Sequence, residues 1–110
     1  EPQIVISNSL SDHSTVIEIA CLDRPGLLYD ITRALRELSL NIRSAHIATF
    51  GERAVDVFYV RNLFGLRIHD GARLNQIRAA LAAAIDPESA TENAVGAALG
   101  TTAPPAPARA

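Results

Sequence analysis

Two apolar stripes at helical spacing bracket a stretch that reads as a hairpin, and that arrangement leaves few folds open. From Leu27 to Leu38 the apolar positions are Leu27, Leu28, Ile31, Ala34, Leu35 and Leu38, which share one helix face. Leu74, Ile77, Leu81 and Ile85 repeat the pattern further along. Between the stripes lie "NIRSAHIAT" (Asn41–Thr49) and "AVDVFYV" (Ala54–Val60), rich in β-branched and aromatic residues. They are joined by "FGER", where Gly51 can take the positive φ of a tight turn. One-faced helices and a strand pair must cover each other, so the expected class is a two-layer α+β sandwich.

The N-terminal segment completes the pattern. "TVIEIAC" (Thr15–Cys21) is nearly all apolar and reads as a central strand. "QIVIS" (Gln3–Ser7) is a shorter strand, separated from it by the turn-rich "NSLSDHS". Asp70 stands as N-cap of the second helix, Gly71–Ile85, and Pro87 stops it. "NLFGLRI" carries a turn at Gly65 and a short extension of the sheet. The order is β-α-β-β-α with a strand in front. A ferredoxin-like β-α-β-β-α-β fold needs a last strand antiparallel beside the first, and none follows the second helix. The leading strand Gln3–Ser7 can fill that slot. The expected fold is a four-stranded antiparallel sheet with two helices on one face.

Residues 1–14 then form a leading strand and turn, and 15–87 the folded unit. Residues 88–110 are Ala, Thr, Pro and Gly with little to bury, a composition that predicts disorder. The chain has 110 residues, opens inside an apolar run and has no initiator Met, as expected of a piece of a longer protein.

Formal net charge is −2, every basic side chain is an Arg, and this balance argues against a nucleic-acid backbone as partner. Phe58 and Tyr59 are adjacent on a strand and face opposite ways, unlike the clustered aromatics of RNA-binding sheets. A lone cysteine, Cys21, excludes an intrachain disulfide and suits a reducing cytoplasm. No apolar run approaches the roughly 20 residues of a membrane span. His13, His46 and His69 are scattered, so neither a zinc site nor a His-Asp metallohydrolase site is expected. No paired carboxylates with a glycine-rich phosphate loop are present for nucleotidyl transfer. The chain is therefore expected to catalyse nothing itself. Asp56 reads as an edge or solvent-facing charge, and Cys21 as a packed thiol.

The candidate site is the junction "CLDRPGLL" (Cys21–Leu28), where a buried strand meets a helix through Asp23, Arg24, Pro25 and Gly26. A helix N-terminus offers unpaired N–H groups and partial positive charge to a carboxylate. Gly26 would let a ligand approach the backbone, and Asp23 could meet an ammonium. That pairing matches a free amino acid. The simpler reading is that Asp23 caps the helix and Pro-Gly makes the turn.

"DRPGLL" after an apolar strand, followed by "LNIRSAHIATFGERAVDVFYV", resembles the ACT domain family over about residues 15–85. The resemblance implies a ferredoxin-like fold, an amino-acid effector and a site shared between two ACT modules, in a homodimer or with a second module of the same protein. It implies ligand contacts at Asp23, Arg24, Gly26, Leu27 and Leu28, and at Asn41, with Ile42 beside it, reaching in from the opposing module. Cys21 stands where some members have a His, so that contact is missing. The likeness is strongest to modules that end nitrogen-regulatory enzymes, where the effector is glutamine and Mg²⁺ belongs only to the catalytic domains. Two rivals remain: an ACT module used only for assembly, and a nucleic-acid binder, which would need Arg24, Arg43 and Arg61 in one patch.

Overall fold

The structure, a computed structural model, describes residues 2–87. The predicted disorder of 88–110 lies outside the described residues. Six elements follow in order: β1 (Gln3–Ser7), β2 (Thr15–Leu22), α1 (Leu27–Glu37), β3 (Asn41–Phe50), β4 (Arg53–Arg61) and α2 (Gly71–Ile85). The strands form one antiparallel sheet in the order β1-β2-β4-β3. β1 occupies the slot beside β2 that the sequence pattern left vacant, with Gln3 opposite Ala20 and Ser7 opposite Val16. The segment "NLFGLRI" adds no strand. Instead Asn62 closes a tight turn, its Oδ1 accepting from the N–H groups of Phe64 and Leu66.

Alternation along the central strands sets the core. Ile17, Ile19 and Cys21 of β2 and Ala54, Phe58 and Val60 of β4 are buried under the helices. Against them pack Leu27, Ile31 and Leu35 of α1 and Ile77, Leu81 and Ile85 of α2, as the two stripes require. Leu28 departs from its stripe and is 43% exposed. Asp70 caps α2 as expected, its carboxylate accepting from the Arg73 N–H at 3.0 Å.

Asp56 also departs from expectation. It lies on central strand β4, on the helix-facing side between Ile19 and Ile47, and is 2% exposed. The expected solvent-facing charge is a buried one, because its parity is that of Ala54 and Phe58.

The helices leave β3 bare. Every residue of β3 is exposed except the half-buried Ala48, and its outer edge has no neighbouring strand. Ten residues of unpaired ladder with Ile42, Ile47 and Phe50 exposed make an edge that folded proteins normally cover. A bulge between Ile42 and Ser44 shifts the register there.

Candidate functional site

The junction after β2 is built by three restraints. The Asp23 N–H donates to Glu52 O at 2.8 Å, which ties the strand end to the β3–β4 turn. Gly26 is the N-cap of α1 with φ 79 and ψ 0, left-handed backbone that L side chains avoid. Its N–H-rich helix start has no side-chain cap. Asp23 is exposed and does not cap α1, so the simpler reading of its role is set aside. Pro25 falls just outside the helix rather than in its first turn. A Cβ on Gly26 would meet only an Arg24 nitrogen, at 3.9 Å. The glycine is therefore demanded by backbone conformation more than by crowding.

Arg24 is engaged within the fold through both Nη groups, Nη1 donating to Pro25 O at 3.2 Å. Its Nη2 donates to Ala84 O at 2.9 Å and Ile85 O at 3.2 Å and pairs with Asp30 at 3.0 Å. A guanidinium on the last carbonyls of α2 complements that helix end and fastens α2 to the start of α1. Leu27 is a core residue, 3% exposed, and its N–H donates to Arg24 O. Within one chain the junction thus offers Asp23, the backbone at Gly26 and the exposed Leu28.

Asn41 and Ile42 are at the other end of the sheet. Asn41 pairs with Arg61, whereas the junction adjoins the row of Leu22, Arg53 and Phe50. Nine steps along β3 at about 3.3 Å each separate those ends by about 30 Å. One chain cannot bring Asn41 to its own junction. Arg24 and Arg61 are likewise at opposite ends of the sheet, so the arginine patch that a nucleic-acid binder would need does not form.

Sequence reasoning put Asp56 on the surface, and the structure buries it. Its Oδ1 is buried with no hydrogen-bond partner. Burial pushes its pKa up, the Ala48 N–H pulls it partly back, and the negative charge of Asp23 adds to the rise. Cys21, on the same face, is pushed up by burial first and by Asp56 second, which marks it as an inert packed thiol. The carboxylate therefore sits beneath the junction side of the sheet.

The cavities lie elsewhere. One of about 440 Å³ runs between the helices past Asp30, Glu37 and Ala80. Another, of about 340 Å³, is at the Arg61 end of the sheet. No cluster of metal-ligating side chains occurs among the described residues.

Comparison with known proteins matches this architecture. The model of the family described as ACR9-like, ACT-like domain matches residues 3–87. A bifunctional uridylyltransferase/uridylyl-removing enzyme from Bradyrhizobium diazoefficiens is 57% identical over 81 residues, covering 74% of this chain and 9% of that protein. Proteins of the same name from Gluconobacter oxydans and Azospirillum brasilense are 56% and 52% identical, over 76% and 81% of this chain. The chain spans about a tenth of the length of these relatives, 9% to 10%. The crystal structure of an unknown protein from Galdieria sulphuraria aligns with a TM-score of 0.53 at 28% identity, covering 64% of this chain and 37% of that one. With the family model spanning both helices and all four strands, the chain belongs to the ACT-like domain family.

Proposed function

We propose that this chain is the regulatory, non-catalytic module of a cytoplasmic bifunctional uridylyltransferase/uridylyl-removing enzyme, and that it binds an amino acid, glutamine, at an interface between two modules. The observation that carries the reading is the bare ten-residue edge of β3. If two such edges pair antiparallel about their midpoints, Asn41 of one copy comes opposite Phe50 of the other. Phe50 is at the junction end of its own sheet, so Asn41 and Ile42 then approach the Asp23–Leu28 segment of the opposing module. The same pairing satisfies the open backbone edge and sets Ile42, Ile47 and Phe50 beside side chains of the opposing strand. A second ACT module of the parent can take the place of the second copy.

The chemistry suits an α-amino acid. The uncapped start of α1 faces the carboxylate with N–H groups and the positive end of its dipole. Asp23 is exposed, and its carboxylate supplies the negative charge that an ammonium needs. A ligand held between modules binds one arrangement of them better than another, which is the condition for shifting an equilibrium. The catalytic domains of the parent, with their Mg²⁺, and the nitrogen-regulatory protein PII are the downstream partners. Nucleic acid and membrane are not. No helix among the described residues is long and apolar enough to cross a membrane.

The test is an NMR titration of the isotopically labelled chain with glutamine, with glutamate and serine as controls, alongside sedimentation to read its assembly. Saturable shifts at Asp23–Leu28 together with Asn41–Ile42, for glutamine alone and only in the associated form, are expected. A dimer whose spectrum ignores all three amino acids would leave the module with assembly as its role.

A further inference from the structure

The far end of the sheet from the junction holds a cavity with an unusual charge. Two guanidiniums, Arg61 and Arg67, and two imidazoles, His13 and His69, line its roughly 340 Å³ against one carboxylate, Asp12. The chain as a whole carries a formal −2. Among the described residues no carboxylate lies within ion-pair distance of Arg61 or Arg67, since the ion pairs there are Arg24–Asp30 and Arg33–Glu37. Two guanidiniums gathered into one concavity against a single carboxylate that pairs with neither create a field that attracts an anion.

The segments that carry these side chains are tied to one another by hydrogen bonds. The Thr15 hydroxyl, fully buried, donates to Asn8 Oδ1 at 2.7 Å and accepts from the Ile68 N–H at 2.8 Å. Asn8 Nδ2 returns to Ile68 O at 2.7 Å. Arg67 Nη1 ties itself to the β1–β2 connection by donating to Asn8 O at 2.9 Å and Ser11 O at 3.1 Å. Arg61 spends only Nε, on Ser14 Oγ at 3.3 Å, and its two Nη groups have no partner among the described residues. The Asn62 turn supplies Gly65 and Leu66 to the wall and carries Phe64, 87% exposed, next to them.

We propose that this cavity binds the phosphate group of a small molecule. Two guanidinium forks present more donors than a carboxylate can accept, whereas a phosphate offers several oxygens to both. The volume is at the lower end of small-ligand sites and fits a phosphate with a modest substituent. Free phosphate and a nucleoside monophosphate share this chemistry. Phe64 at the neighbouring turn gives the second a surface on which a base can stack.

The experiment is a heteronuclear NMR titration of the 110-residue chain with inorganic phosphate, with UMP, and with glutamate at matched ionic strength. Saturable shifts confined to residues around Asp12, Arg61 and 65–69 are expected, with a phosphate Kd of about 1 mM or tighter. Arg61→Gln should weaken binding about tenfold, the effect of losing a charge-assisted contact, with only a small drop in melting temperature from the lost bond to Ser14 Oγ. His69→Gln provides a second variant outside the Asn8–Thr15 framework. Tighter UMP binding with a shift at Phe64 assigns a nucleotide, and equal affinities assign phosphate alone; both support the site. No saturation by about 20 mM phosphate, equal shifts with glutamate, or unchanged affinity in Arg61→Gln would overturn it.

Discussion

Replacing Asp56 with valine should stabilise this module, although Asp56 is among its most buried residues. The residue is 2% exposed, between Ile19 and Ile47, and Oδ1 has no partner. A buried polar group without a hydrogen bond costs about 1–3 kcal/mol, and more when charged. Valine removes that cost, adds methyl surface worth about 0.8 kcal/mol per buried carbon, and suits a central strand. Against this stands the lost interaction with the Ala48 N–H, about 1 kcal/mol. The net expectation is about 1–3 kcal/mol of added stability at neutral pH, or a melting temperature higher by about 5–15 °C in a domain of this size.

The pH dependence separates this account from simple packing. Burial raises the folded-state pKa of Asp56 above its ordinary value of 3.8. The folded state then holds a proton that the unfolded state releases first, so this contribution is fully present below the ordinary value. It is lost as pH rises through the raised folded value. The advantage of Asp56→Val over the parent should therefore be small near pH 4 and grow toward neutrality. Urea denaturation at a series of pH values measures it. Asp56→Asn, nearly isosteric, guards against overpacking and should show the same trend at smaller amplitude. If both variants were less stable than the parent at neutral pH, or the difference did not change with pH, the unpaired-carboxylate account would be wrong.

Three further outcomes follow from geometry. Gly26→Ala should cost about 1–2 kcal/mol in chemical denaturation, because φ is 79 there, even though the added Cβ meets nothing closer than 3.9 Å. Arg24→Gln should speed amide exchange in the last turn of α2 and cost about 1 kcal/mol. Most of that comes from the bonds to Ala84 O and Ile85 O, since the partly exposed Asp30 pair is screened by solvent. Thr15→Val keeps the shape but strands Asn8 Oδ1 and the Ile68 N–H, and should lower stability by about 2–3 kcal/mol in a thermal melt.

The sheet order could be read from the chain because a slot had to be filled: β-α-β-β-α leaves one edge of the β2 strand open, and only Gln3–Ser7 was available to close it. The helices were legible for the same kind of reason, since each stripe has one face that tolerates water. Asp56 was not legible, because β4 is apolar on both parities. Ala54, Phe58 and Val60 compete with Val55, Val57 and Tyr59 for the core side, and alternation alone does not say which set wins. The aromatic pair decides it in the structure: Phe58 is buried, while Tyr59 meets His46 edge-on at 6.1 Å on the open face. Once Phe58 is inward, Asp56 must follow.

A similar ambiguity hid the shape of β3. Ile42 and Ile47 are an odd number of residues apart, so regular alternation would send them to opposite faces. The bulge at Arg43 restores them to one: Ile42 pairs with Val60 and Ile47 with Asp56, both on the helix side. Since neither helix extends over that strand, the two isoleucines form a strip beside an open edge. The candidate site divides along the same line. Asp23, Gly26 and Leu28 were legible as one junction because they are neighbours in the chain. That Asn41 could serve them only from another module follows from strand direction, for β3 starts at the sheet end where β2 also starts. An antiparallel hairpin returns to the junction at Phe50 and never at Asn41. A site using both ends of β3 therefore requires two copies of the strand, and the bare edge is where the second would pair.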